Sequence, residues 1–275
     1  MRELAFSSLI SGGLKPTSYG PSQLGGSVAV DALTGSRFAL RGGVLTCYDA
    51  EGAQLWVTQL DALLQGQEGS PDAAGSWLSA YFLSRPGCVF VCHSSGTLAT
   101  VEVASGGTVV DLVGELEGGV LATAWTPDEA LVAVATGSGS IVVMTAQWDV
   151  IAEAPVEGLG TAKGEPVSLA WRGDGQHLVA SFCPCPALGG PAGPRCLRIL
   201  TQDLSQVVMG RNEDGSSITG LHAGGVAWSP DGELFACGMS VPARSRLQVW
   251  KSGDLAPLTT RRQMRVSHAC AGLFL

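Results

Sequence analysis

Several groups of residues in this 275-residue chain have types and spacings that could do chemistry. Cys183-Pro184-Cys185 and Cys196 could offer thiolates to zinc, but a structural zinc site takes four paired Cys or His ligands at set spacings. The nearest histidine, His177, lies in a strand-forming segment, so these read as loop cysteines. Gly158-Leu159-Gly160-Thr161-Ala162-Lys163-Gly164 has the glycines and lysine of a phosphate loop. Ala162 replaces the glycine before the lysine, Gly164 replaces the hydroxyl residue after it, and no strand-loop-helix surrounds it, so a surface linker is the reading. Gly137 and Gly139 fall in a hairpin turn with no helix behind them, which removes a dinucleotide fingerprint. Cys88 and Cys92 straddle a short strand and, with His93, read as core and turn residues; His222 and His268 stand alone. Asp128, Asp174 and Asp231 recur at one turn position, where an aspartate caps nearby backbone amides. No Gly-x-Ser-x-Gly elbow marks a nucleophile. No catalytic, cofactor-binding or metal-ligating residue is therefore assigned, and the expectation is a chain that is not an enzyme and carries no cofactor.

The elements that hold these residues must be short and extended. Gly contributes 38 residues and Pro 14, with 45% hydrophobic residues, a balance that favours many strands joined by tight turns and argues against disorder. The formal charge is −8 with 16 basic residues scattered along the chain, which is not the footprint of a nucleic-acid-binding domain. Arg261, Arg262 and Arg265 form the one dense basic cluster and read as solvated tail. Ala130 to Trp148 carries no charge over 19 residues, yet Thr136-Gly137-Ser138-Gly139-Ser140 interrupts it, so a hairpin of two strands fits and a membrane span does not. Met1-Arg2-Glu3 is followed by an apolar stretch that Ser7 and Ser8 interrupt, unlike a secretory signal. Eight widely spaced cysteines then read as reduced thiols of a cytosolic or nuclear protein.

One phrase recurs three times: Ala124-Trp125-Thr126-Pro127-Asp128-Glu129, Ala170-Trp171-Arg172-Gly173-Asp174-Gly175 and Ala227-Trp228-Ser229-Pro230-Asp231-Gly232. Each runs into an apolar strand, Leu131 to Thr136, Leu178 to Phe182 and Leu234 to Gly238, and then a further one, Ile141 to Thr145, Cys196 to Leu200 and Leu247 to Trp250. Pro fixes φ, Asp bonds back to the backbone, Gly takes the left-handed position, and Trp offers a wide packing surface. The tryptophans stand 46 and 57 residues apart, the spacing of four-stranded propeller blades with loop insertions. Weaker copies precede them: Arg37 to Leu40, Val44 to Tyr48 and Gln54 to Leu60, then Trp77 to Leu83, Val89 to Cys92 and Leu98 to Val103 around Ser95-Gly96. The spacing thus predicts an all-β propeller, incomplete, with about five blade-like units. Cys183 to Pro194, rich in Pro and Gly, is read as a mobile loop between two strands. Two unrelated β-sandwiches would give no reason for the same turn to recur.

The Trp-Ser-Pro-Asp-Gly turn and its strand resemble WD40 repeats, although the Gly-His and Trp-Asp dipeptides are largely absent. Longer segments resemble a narrower family. Ala124 to Asp128 through Leu131, Ala135-Thr136-Gly137, Val142 to Thr145, and above all Trp171-Arg172-Gly173-Asp174-Gly175-Gln176 are similar to the first propeller of the Elongator complex protein 1 family. The opening Met1-Arg2-Glu3-Leu4 and Arg195 to Leu200 are similar to it too. The resemblance covers most of residues 1–258, best between 120 and 182, and leaves 259–275 as a tail outside the family pattern. It implies a non-catalytic scaffold of the Elongator complex, cytoplasmic and also nuclear, that supports wobble-uridine modification of tRNA. Its implied partners are the other subunits, including the catalytic one, with tRNA met only indirectly and no membrane. Between Ile151 and Val167 the chain is shorter than the family pattern, and the family's long helical region with its dimerisation part does not follow, so the expectation is a fragment, a truncated product or an imperfect gene model. The alternatives are an unrelated WD40 scaffold and a propeller enzyme.

Overall fold

The computed structural model describes residues 26–64, 75–159, 167–182, 196–205, 207–209, 222–241, 244–251 and 257–258. They form five four-stranded antiparallel sheets whose strands are hydrogen-bonded in chain order, and no α-helix is found among the described residues. The first sheet is β1 (Gly26–Val30), β2 (Arg37–Arg41), β3 (Val44–Tyr48) and β4 (Gln54–Gln59), and the second is β5 (Trp77–Leu83), β6 (Cys88–His93), β7 (Thr97–Glu102) and β8 (Val110–Glu115). The third is β9 (Val120–Trp125), β10 (Leu131–Thr136), β11 (Ser140–Thr145) and β12 (Val150–Pro155). The fourth is β13 (Ser168–Trp171), β14 (His177–Phe182), β15 (Cys196–Thr201) and β16 (Val207–Met209), and the fifth is β17 (His222–Trp228), β18 (Leu234–Val241), β19 (Arg244–Lys251) and β20 (Pro257–Leu258).

Consecutive sheets stack face to face, each pair around its own apolar cluster. Phe38, Leu40 and Leu45 of the first sheet meet Trp77, Val89 and Val91 of the second. Phe90 and Cys92 meet Trp125, Val132 and Val134 of the third. Ala133, Ile141 and Val143 meet Trp171, Leu178 and Phe182 of the fourth, and Val179 and Ile199 meet Phe235 and Cys237 of the fifth. The first strands β1, β5, β9, β13 and β17 pack each on the next, so the sheets fan outward from their first strands as blades of an incomplete β-propeller. Each blade therefore has a leading face, towards the blade before it, and a trailing face, towards the blade after.

Burial explains the strand composition. β6 and β10 lie between two neighbours and are buried at every position, which requires unbroken apolar runs such as Leu131-Val132-Ala133-Val134-Ala135. β8 and β12 lie outermost and are mostly exposed, which their Asp, Glu and Gly residues suit. The charge-free stretch is a hairpin of β10 and β11, as its polar centre requires. β14 pairs with β15 from Phe182↔Cys196 onward, so the Pro- and Gly-rich loop, itself outside the described residues, joins two neighbouring strands. The tail 259–275, with Arg261, Arg262, Arg265 and His268, also lies outside them.

Candidate functional surface

The recurring turn is built alike in the third, fourth and fifth blades. Asp128, Asp174 and Asp231 each accept the amide two residues on, from Ala130 (3.1 Å), Gln176 (3.0 Å) and Glu233 (3.0 Å). Thr126 and Ser229 close the same turn by bonding their hydroxyls to Leu131 and Leu234. The three carboxyls are held below the usual carboxylate range: Asp128 chiefly by the Thr126 hydroxyl, Asp231 by the Ser229 hydroxyl, and Asp174, down to about 2, by the Arg172 guanidinium that bonds both its oxygens. Carboxylates held ionised by their own turns are structural caps, as their repetition indicates. Gly175 (φ +69°) and Gly232 (φ +71°) occupy the left-handed place, and Glu129 fills it in the third blade with φ +59°.

The tryptophans close the inter-blade seams. The Trp171 indole N–H donates to the Ala124 carbonyl (3.0 Å), and Trp228 to the Ala170 carbonyl (2.9 Å). Each acceptor directly precedes the tryptophan of the blade before, so one contact is handed on from blade to blade. Trp125 sits on the same leading face but in different company. It stacks on Tyr81 and meets Phe90 and Trp148 edge-on, and its buried indole N–H has no hydrogen-bond acceptor.

Further links join the first strands. Ser27 exchanges hydrogen bonds with the Ala80 backbone, Ser79 Oγ lies 2.8 Å from Thr123 Oγ1, and the Val226 amide donates to Ser168 Oγ (3.1 Å). At one rim, the Gly43, Gly96 and Gly139 carbonyls accept the amides of Leu60 (2.8 Å), Leu116 (3.0 Å) and Val156 (2.8 Å), tying each outer strand's exit to the central turn of its own blade. At the other rim, the turn after the third strand has a left-handed residue at one slot: Gly52, Gly106, Trp148 and Leu204. Trp148 and Leu204 send their side chains back into the seams, Trp148 stacking on Phe90 and Leu204 joining Trp171. Sequence reasoning missed these plugs; comparison of the four turns, two of which have glycine there, would have found them.

The other candidates are placed without forming a reactive set. Cys88 and Cys92 lie buried in β6, and burial pushes the Cys88 thiol up to about 11, the reverse of an activated nucleophile. His93 is buried beside Trp77, accepts the Ser95 amide at Nδ1 (3.2 Å), and is held below its ordinary pKa chiefly by burial. Asp61, in the turn between the first two blades, accepts the Trp77 indole N–H (3.0 Å). Gly158 and Leu159 form a turn that tucks Leu159 into the core; residues 160–166, the rest of the glycine-rich linker, lie outside the described residues. Cys196 opens β15, while Cys183 and Cys185 are outside the described residues, as is the side chain of His222. No trio of metal-ligating side chains is gathered among the described residues. What the fold does present is its rim of turns, where Asp49, Glu51, Asp128, Glu129, Asp149, Asp174, Asp203 and Asp231 stand between paired strands.

Comparison with known proteins places this architecture. Residues 53–168 match the family model described as the ELP1 first N-terminal β-propeller. Elongator complex protein 1 of Rattus norvegicus is 22% identical over 221 residues, which is 67% of this chain and 16% of that protein. The Drosophila melanogaster protein of the same name is 23% identical over 225 residues, again 67% of this chain and 16% of that protein. The Arabidopsis thaliana one is 30% identical over 117 residues, 38% of this chain and 9% of that protein. The chain thus matches about a sixth of the length of the first two relatives. Residues 53–168 thus resemble the first N-terminal propeller of Elongator complex protein 1, and the similarity to that protein extends over two-thirds of the chain.

Proposed function

We propose that this chain is a non-catalytic scaffold of the Elongator complex that supports modification of tRNA wobble uridines by binding protein partners, among them the catalytic subunit. The observation that carries this reading is the similarity to Elongator complex protein 1 over 67% of the chain. The geometry suits it: the repeated polar residues are spent on turns and seams, while rigid strands hold a rim of turns for contact. The acidic rim favours protein partners over direct RNA contact, since phosphates demand basic surface. On this reading the protein works in the cytoplasm and also in the nucleus.

The test is affinity capture of the full chain from cells, with the other Elongator subunits identified by mass spectrometry. Recovery of the catalytic subunit in stoichiometric amount is expected. A soluble, folded chain that never retains those subunits would end the proposal, and the chain would then stand as an interaction propeller of another complex.

A further inference from the structure

Arg198 breaks the repeat in the seam between the third and fourth blades. It lies on β15 opposite Ala180 of β14, on the leading face that sets Trp171, Leu178 and Leu200 against the third blade. The matching positions in the two blades before it are Ala99, opposite Val91, and Val142, opposite Val134, which are 0% and 4% exposed. The seam itself therefore asks for no polar group at this place. The third blade turns Ala152 and Ala154 of its outer strand towards the same seam, and neither side chain can accept a hydrogen bond.

The arginine thus stands among apolar side chains without a counter-charge. Its Nε is buried with no hydrogen-bond acceptor, and no carboxylate among the described residues pairs with it. An arginine whose stem merely lines an apolar seam keeps its donors in water. Here one donor is out of water and unsatisfied, a costly state that an incoming acceptor would relieve. The residue as a whole stays partly exposed, so the terminal nitrogens of the fork are the part left to water.

The surroundings choose between anions. A guanidinium fork matches one planar carboxylate through two parallel bonds. A chain of phosphates is held by several basic groups together. Among the described residues of the third and fourth blades the basic side chains are Arg172 and Arg198, and Arg172 already bonds both oxygens of Asp174. One free fork remains, enough for one carboxylate.

We propose that Arg198 is a carboxylate-binding site at the seam between the third and fourth blades, filled by an acidic side chain of a protein partner. The site names a contact that the scaffold reading leaves open, and it holds whichever complex the chain serves.

The test is proton–nitrogen correlation spectroscopy of the arginine Nε–H groups in the full chain, with acetate as the probe at constant ionic strength. Arg198→Met, which keeps an apolar stem, identifies the Arg198 signal by its loss. Acetate should move that signal downfield to saturation and slow its exchange with water, while the signal of the exposed Arg85 moves weakly and without saturating. Arg198→Met should melt no lower than the wild type, because it breaks no bond within the chain. An Arg198 response no larger than that of Arg85 means an adventitious ion only and overturns the proposal. A response to inorganic phosphate but not to acetate overturns the choice of ligand. A signal already downfield and slow to exchange without acetate, or an Arg198→Met variant that melts several degrees lower, places the partner within the chain itself and overturns it too.

Discussion

Glu129 offers the sharpest test of how the turns are held. Its sisters in the repeat, Gly175 and Gly232, sit in the left-handed region without a side chain to strain, whereas Glu129 adopts φ +59°. Its carboxylate accepts both the amide and the hydroxyl of Ser84 in the second blade, each at 2.7 Å. The left-handed conformation costs an L-residue about 1–2 kcal/mol, while glycine's looser unfolded chain gives back about 0.5–1 kcal/mol. The two bonds to Ser84 stabilise the fold by about 1–2 kcal/mol together, the low end of charge-assisted bonds, because the site is exposed. Glu129→Ala removes the link and keeps the strain, so it should cost about 1–2 kcal/mol. Glu129→Gly removes both and should recover about 0.5–1 kcal/mol of that loss. Urea unfolding reads the order directly, as shifts in midpoint at constant slope. Ser84→Ala in the Glu129→Ala background should be nearly silent, since the partner is already gone. An alanine variant as stable as the glycine variant would refute the backbone part; an additive double mutant would refute the link.

Trp171→Ala should cost about 3–5 kcal/mol, as large-to-small changes in aromatic cores do, and Trp171→Phe about 1 kcal/mol for the lost bond to the Ala124 carbonyl; an unchanged melting curve for the alanine variant would overturn the seam assignment. Gly96→Ala drives a Cβ into the Leu116 carbonyl oxygen at φ +118°, whereas Gly42→Ala at φ +53° meets nothing within 4 Å. Denaturant titration should therefore show the first costing several times the second, which is about 1 kcal/mol. His93 has its folded pKa lowered from 6.5, by burial first, against the Gly75 carbonyl and Asp61. Below pH 6.5 the unfolded chain gains a proton that the folded chain resists, so the His93 contribution is full above that pH and is lost as pH falls towards the folded value. Melting temperature should drop between pH 7.5 and 5.5, and His93→Gln should shrink the drop; a variant with the full drop would refute the assignment.

How much of this was legible in the sequence follows from where each strand lies. β10 reads from Leu131 to Thr136 because both of its faces are buried, and the tryptophan turns announce themselves through Pro, Asp and Gly. β8 (Val-Asp-Leu-Val-Gly-Glu) and β12 escaped because an outer strand has no face that must be apolar throughout; only pairing with β7 and β11 makes them strands. The aspartate caps were readable because a carboxylate that recurs with the fold serves the fold. The Trp148 and Leu204 plugs are hidden in each turn taken alone, because a bulky residue in a left-handed slot contradicts local preference; only alignment with Gly52 and Gly106 marks the slot, and the seam between two blades stabilises it. Trp125 shows the limit of repeat reasoning: its position was predicted, but its partner is the Tyr81 ring rather than a carbonyl.

The same contrast says where specificity resides. Positions that repeat, such as Asp128, Asp174 and Asp231 or the indole bonds of Trp171 and Trp228, hold one blade to the next and would serve any propeller. Positions where the repeat breaks do something that the fold alone does not require. Glu129 stands for glycine, Trp148 and Leu204 stand where Gly52 and Gly106 stand in the first two blades, and Val28 and Val30 remain exposed where later blades are covered. The first of these breaks links two turns, the next seal two seams, and the last leaves an apolar face that water solvates poorly.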